Sequence, residues 1–226
     1  MDNTEIWGKA GPKKLEPMAD FFTARLDGYE EHMTKDGYDE GYHKFAELVP
    51  ADTKTLLDLG CGTGLELDWI FKRLPDVVVT GIDLTKVMLD RLKQKHPDKI
   101  LNLVCGNYFE VDLGEQAFDA VISYDSLHHF SHEQKVGLYR KILKALKPGG
   151  LYIEGDYMVD EQSREDELFA ECARVHREQN IPDGAFYHFD TPCTIDNEVT
   201  LLKRAGFTRV EFTFRFGIDA VIIARK

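Results

Sequence analysis

The stretch 55–66, TLLDLGCGTGLE, constrains this chain more than any other. The apolar run that includes Leu56 and Leu57 reads as a short buried strand, and glycines at alternate positions, Gly60, Gly62 and Gly64, break it at once. Without a β-carbon these residues tolerate left-handed dihedrals and let a ligand lie against the main chain. The amides that open the following helix favour polar or anionic groups. Such a loop holds a flat or charged small molecule.

Spacing narrows the choice. A dinucleotide fingerprint, G-x-G-x-x-G, needs glycine where this chain has Leu65, and no G-x-x-x-x-G-K-[ST] occurs. Neither a standard nicotinamide site nor a P-loop is written here. The run LLDLGCGTG, an acid (Asp58), one apolar residue and then G-x-G-x-G through Cys61, resembles the first motif of the class I S-adenosylmethionine-dependent methyltransferases. The resemblance implies an α/β fold, a Rossmann-like doubly wound seven-stranded sheet of order 3-2-1-4-5-7-6 with an antiparallel terminal hairpin. It also implies S-adenosyl-L-methionine as cofactor and S-adenosyl-L-homocysteine as product.

Two hundred and twenty-six residues suit one such sheet covered on both faces. We expect an N-terminal arm and helical lid over 1–50, a cofactor-binding domain over 51–226, and a lid insertion at about 157–193. The four cysteines form no C-x-x-C pair and read as reduced thiols. With no charged and apolar leader and no long apolar run, the expectation is a cytoplasmic chain with no membrane partner. The net charge of −12 is concentrated: residues 1–50 hold 11 acids and 6 bases, and residues 157–190 hold 9 and 3. An acidic lid disfavours long nucleic acid and favours a neutral or cationic small molecule, although a solvated acidic surface without a steering role has the same composition. Oligomeric state is not legible.

Along the chain, MADFFTARLDGYEEHM places Phe21, Phe22, Leu26 and Tyr29 at helical spacings. In the family such a segment covers the cofactor, which makes Tyr29 a candidate contact, with Tyr38 and Tyr42 in the same cover. VVVTGID reads as the second strand, ending in Asp83, whose carboxylate suits the two hydroxyls of a ribose. Thr85 caps the next helix, and Leu84 and Met88 are candidate contacts to ribose or adenine. After the third strand, ILNLVC, the family often carries an aspartate for the adenine amino group. This chain has Asn107, which can accept the same bond, and the Tyr108 amide can donate to a ring nitrogen.

The fourth strand, FDAVISYDSLHHF, matches the family's F-D-x-V-x-S and L-H-H pattern and places Tyr124 against the methionine part. It does not read N-P-P-Y, which disfavours methylation of adenine or amide nitrogens. His128 is the candidate general base. His128, His129 and His132 lack an evident Cys or His cluster to complete a zinc site, and Asp125 with Asp156 lacks the asparagine that follows in magnesium-dependent relatives, Tyr157 standing there instead. No metal is expected. Ser131 and Gln134 make a capping box, Lys147-Pro148-Gly149-Gly150 leads into a fifth strand, and Tyr157, His188 and Phe189 are candidate pocket residues.

The implied reaction is in-line transfer of the sulfonium methyl to a small-molecule N, O or S nucleophile. Open beside it stand transfer of another group from a modified or decarboxylated adenosyl cofactor, a nicotinamide oxidoreductase, and a non-catalytic S-adenosylmethionine-binding sensor.

Overall fold

Alternation along the strands decides the architecture. In β1 (Thr55–Leu59), Leu57 and Leu59 join one apolar layer while Leu56 joins the other, and in β4 (Phe118–Tyr124) Val121 opposes Ala120 and Ile122. Successive side chains point to opposite faces, so strands with apolar residues on both faces must be covered twice. The computed structural model, which describes residues 14–226, shows that arrangement. Most of the expected N-terminal arm lies outside the described residues.

Seven strands lie in the order β3-β2-β1-β4-β5-β7-β6, as the resemblance implies. β2 (Val78–Asp83), β3 (Leu101–Cys105) and β4 pair parallel to their neighbours, and β5 (Leu146–Tyr157) pairs parallel to β4. β6 (Arg209–Phe216) and β7 (Asp219–Arg225) form the antiparallel hairpin, with β7 against β5. Three short helices, α1 (Met18–Ala24), α2 (Tyr29–Met33) and α3 (Asp39–Glu47), precede the sheet. α4 (Leu65–Arg73) and α5 (Lys86–Lys95) share one apolar layer with α3, whereas α6 (His132–Ala145) and α8 (Ile195–Ala205) share the other. β1 and β4 are neighbours whose crossover helices leave on opposite faces. Their carboxyl ends therefore open the crevice in which doubly wound sheets bind ligands.

Local chemistry explains the element ends. Ser131 and Gln134 cap α6 reciprocally, Thr194 caps α8 by accepting from the Asn197 amide, and Gly206 closes α8 at φ 113°. Thr85 occupies the N-cap of α5 without capping through its side chain; its amide donates to Asp83 instead. Lys147-Pro148-Gly149-Gly150 does not precede β5 but forms its irregular first part, where pairing with β4 shifts register between Phe118 and Ala120. The charged helix expected over 160–179 is α7 (Gln162–Glu178). All four cysteines are free, and among the described residues no helix is long and apolar enough to cross a membrane.

At the amino end of the sheet Asp119 ties three elements together. Its carboxylate accepts from the Lys54 and Thr55 amides at 3.0 and 2.8 Å, from the Thr55 hydroxyl at 2.9 Å and from Lys147 at 2.8 Å. Burial works against its ionisation, but Lys147 and the amides hold the carboxyl at about 2. A carboxyl depressed in the fold contributes stability above its unfolded pKa of ~3.9, and that contribution fades as pH falls toward 2. Asp119→Ala is therefore expected to cost about 2 kcal/mol at pH 7 in urea denaturation, with the gap to wild type shrinking below pH 4.

Candidate active site

The glycine loop leaves β1 and folds back on β2. The Gly60 and Cys61 amides both donate to the Ile82 carbonyl, at 2.8 and 3.3 Å, which holds the loop over the strand end. Gly60 has φ 76°, and a β-carbon there would stand 2.0 Å from the Ser126 hydroxyl, so backbone alone fits between β1 and β4. Beside it, Asp83 is fixed at both oxygens: the Gly62 amide donates to Oδ2 at 3.0 Å and the Thr85 amide to Oδ1 at 2.7 Å. Burial pushes its carboxyl up, against the pull of those two amides. Each oxygen keeps a further lone pair for a hydroxyl.

A cavity lies along these strand ends. Gly60 and Gly62 after β1, Asp83, Leu84, Thr85 and Met88 after β2, Tyr108 after β3, and Tyr124, Asp125 and Ser126 at the end of β4 line it. Met18, Phe22 and Tyr29 cover it from α1 and α2, and His129 and Phe130 close its far side. A second cavity of about 240 Å³, toward α7, shares Met18, His129 and Phe130 with the first.

Carboxylates surround the first cavity. Asp125, strained at φ 48°, lies against Asp219, and burial, then Asp219 and Asp156, push its carboxyl far up. Asp219 accepts from the Tyr124 hydroxyl at 3.2 Å and is pushed up to about 6 by burial and Asp156. Beneath the glycine loop Asp58 is 0% exposed, and neither oxygen has a hydrogen-bond partner. Burial and the adjacent Glu66 raise its carboxyl as well. Among the described residues no lysine or arginine lines the cavity.

The aromatic cover is interlocked. Phe22 meets the Tyr29 ring edge-on at 6.3 Å, and Phe21 stacks on His188 at 3.5 Å. Tyr42 and Phe45 of α3 hold the Tyr124 ring at 4.5 and 4.9 Å. Residues 15–18 join the loop after α7, the Met18 amide donating to Phe186 and the His188 amide to Glu16. Tyr38 belongs elsewhere, its ring edge-on to Phe216.

Of the residues singled out in the sequence, Tyr29, Gly60, Gly62, Asp83, Leu84, Met88, Tyr108 and Tyr124 line the cavity together. The others are displaced for definite reasons. The Cys61 side chain packs into the apolar layer beside Gly81, and Gly64 packs against Leu67 and Leu92 at the head of α4. Asn107 spends its carbonyl on the Phe109 amide and its amide group on Glu110, so it does not face the cavity. Asp58 lies buried below the loop rather than at the wall.

His128 is not at the wall either. Its Nδ1 is 2.5 Å from Asp156 Oδ1, and although burial opposes its charged form, Asp156 raises the imidazole. The imidazole that reaches the cavity is His129, lowered by burial and by His128. Sequence reasoning passed over Met18, Ser126, His129 and Phe130 as lining residues. Only the SLHHF run, directly after β4, carried a signal for the last three. The loop after α7 brings His188 and Asp190 to the histidine pair, joining residues about sixty positions apart.

With this geometry in view, residues 56–150 match the methyltransferase domain family. The chain is 25% identical over 194 residues to the carboxy-S-adenosyl-L-methionine synthase of Campylobacter concisus, covering 80% of each protein. It is 29% identical over 116 residues to 24-methylenesterol C-methyltransferase 3 of Arabidopsis thaliana, a match that takes in 50% of this chain and only 32% of the plant enzyme. Among solved structures, the 1,6-didemethyltoxoflavin-N1-methyltransferase of Burkholderia thailandensis, with bound 1,6-didemethyltoxoflavin and S-adenosylhomocysteine, superposes with a TM-score of 0.65. That structure shares 21% identity and matches 92% of this chain and 85% of its own, which is a likeness of fold.

Proposed function

We propose, for a chain that belongs to the class I S-adenosylmethionine-dependent methyltransferases, transfer of a methyl group from S-adenosylmethionine to a small, neutral or cationic acceptor. The observation that carries this reading is the cavity's acidic lining: Asp83 and Asp125 line it, Asp219 and Asp58 are buried behind that wall, and among the described residues no lysine or arginine lines it. Burial holds these carboxyls toward their neutral form, and a cation bound beside them draws the proton off, so the wall favours a cationic ligand over an anionic one. A sulfonium ion with an ammonium group satisfies it, whereas the pyrophosphate of a nicotinamide cofactor does not.

The residues present fit that cofactor. Asp83 would hold the ribose hydroxyls, Leu84, Met88 and the Tyr108 amide the adenine, and Tyr29 and Tyr124 the methionine part, with Asp58 facing the amino group through the loop. The cofactor supplies an activated methyl on sulfur. The protein's share is to orient the acceptor in line with it and to exclude water under Met18, Phe22 and Tyr29. The second cavity, joined at Met18, His129 and Phe130, is where the acceptor enters. Its position and the enclosed cover favour a small molecule over a macromolecule.

The Campylobacter relative favours a second reading, chemistry with a carboxylated cofactor. A carboxylate at the transferred carbon wants a cation beside it, and the acidic wall lacks one. Incubation with S-adenosylmethionine and a panel of small amines, thiols and phenols, read by S-adenosylhomocysteine release, tests the proposal. Turnover is expected with at least one member, and Asp125→Asn, which removes a carboxyl that a bound ammonium would ionise, is expected to raise KM for an amine about tenfold while leaving neutral acceptors unchanged, the equivalent of ~1.4 kcal/mol. Turnover only with a carboxylated or decarboxylated cofactor, or with none, overturns it.

A further inference from the structure

We propose that His128, His129 and Asp190 form a site for a divalent transition-metal ion, behind the wall that His129 contributes to both cavities. His129 Nδ1 lies 3.3 Å and His128 Nε2 3.7 Å from Asp190 Oδ1, and the three ligand atoms all fall within 4.8 Å of one another. The distance from His128 is too long for a hydrogen bond, and Asp190 Oδ1 is buried with no hydrogen-bond partner. Ligand bonds of ~2.0–2.1 Å place the corners of a tetrahedral centre roughly 3.3–3.4 Å apart, close to what these atoms show. His188 Nε2, 3.8 Å from the same oxygen, stands next in line.

The surroundings are built as metal sites are built. Metal-binding imidazoles almost always give their other nitrogen to a carboxylate, which fixes the tautomer and aims the free lone pair. His128 does so, its Nδ1–H donating to Asp156 Oδ1 at 2.5 Å, while the Tyr157 amide donates to that same oxygen and the Leu127 amide to Oδ2. The loop is held in register because the Thr191 amide and hydroxyl both donate to the His128 carbonyl, at 2.6 and 3.2 Å. His129 must present Nδ1 as a lone pair, giving up its contact with the Phe189 carbonyl at 3.2 Å.

Two other clusters fail the same examination. Asp125, His128 and Asp156 leave no room for an ion, because the His128–Asp156 hydrogen bond already fills the gap. Glu165, grouped with His132 and Cys193, spends its oxygens on the Thr194 amide, Asn197 and His132.

Two imidazoles and a carboxylate suit zinc or a neighbouring first-row ion, and three protein ligands leave a position for water or a substrate atom. On the methyl-transfer reading, the acceptor's thiol or hydroxyl would take that position as its anion. Its proton would pass to solvent on coordination, and its lone pair would form the new bond to carbon as the carbon–sulfur bond breaks. This last step rests on the proposed function; the ion site does not.

The test is titration of tag-free protein with zinc by competition calorimetry, together with X-ray absorption on the loaded protein. One equivalent is expected, with scattering from two imidazoles. Asp190→Asn and His129→Ala should weaken binding at least ~100-fold and Asp156→Asn ~10-fold, while His43→Ala on α3 changes nothing. Absence of stoichiometric binding, a spectrum without imidazole, or wild-type affinity in folded Asp190→Asn overturns the assignment. Should a variant fail to fold, the wild-type spectrum decides alone. S-adenosylmethionine binding by metal-free protein is measured in parallel, so failure of the cofactor reading and failure of the metal site are seen separately.

Discussion

Replacing Asp83 by alanine is expected to raise the dissociation constant for S-adenosylmethionine about 100-fold, the equivalent of ~2.7 kcal/mol. Two effects add. A carboxylate that accepts from both hydroxyls of a ribose makes two charge-assisted bonds, each worth ~1.5–3 kcal/mol when a charged partner is involved. The same carboxylate also accepts from the Gly62 and Thr85 amides, so it sets the glycine loop and the start of α5 at once. Alanine removes the ligand contact and leaves two amides to find water, loosening the loop that has to lie against the cofactor. Asp83→Asn separates the two. Its carbonyl can still take one amide, so the loop stays closer to its place and a smaller loss is expected, ~10-fold. Calorimetry on wild type and both variants, with S-adenosylhomocysteine and NADH as comparison ligands, measures this. A change under threefold for alanine, or NADH binding as tightly as the sulfur nucleosides, removes Asp83 from the ribose.

The parts of this site that were legible in the sequence are those set by backbone. Alternate glycines after an apolar run force a loop at a strand end, and a carboxylate closing the next strand must sit beside it, whatever the side chains around them do. The strand order followed from the family's motifs coming in sequence. Side-chain direction was less legible. Cys61 stands between two loop glycines and looked like a contact, but its position after β1 turns it into the apolar layer. Asn107 looked like an adenine partner, and its own turn uses both ends of the amide. The surroundings of the histidines were less legible still. Nothing near SLHHF points to His188 and Asp190, because they arrive on a loop beyond α7 that Thr191 holds by donating to the His128 carbonyl. Helical spacing gives no hint of such a contact, and the acidic count of residues 157–190 does not reveal that Asp190 turns one oxygen inward to the histidines.

The largest effect on stability is expected at Lys135, a residue that no pattern in the sequence marks as special. It is 1% exposed on the inner face of α6, with its ammonium 2.5 Å from Glu198 of α8. The Tyr139 hydroxyl lies against both oxygens of Glu154 at 3.0 and 2.9 Å and against Glu198. Two buried acids share one buried cation. Burial, followed by Glu198, pushes the Glu154 carboxyl well up, and the lysine's direct partner is Glu198. Lys135→Met matches the aliphatic length but strands the Glu198 carboxylate without its counter-ion. Breaking such a pair costs ~3–5 kcal/mol, since the desolvation of the remaining charge is no longer offset. For a chain of this size that is a fall in Tm of about 10 °C, a large part of a typical stability. The double variant Lys135→Met/Glu198→Gln removes the stranded charge and is expected to recover more than half of the loss, because a neutral amide can still take the Tyr139 bond. Thermal and urea unfolding of the two variants measure the difference. A loss under 1 kcal/mol for the single variant, or no recovery in the double, means that the Lys135–Glu198 contact is not a buried charge pair that the fold depends on. The cluster clamps α6 and α8 onto β5, the strand whose end carries Asp156 and so orients His128. Cofactor affinity in the folded single variant should stay within about twofold of wild type, because Asp83 and the glycine loop lie across the sheet order on β1 and β2 and do not touch it.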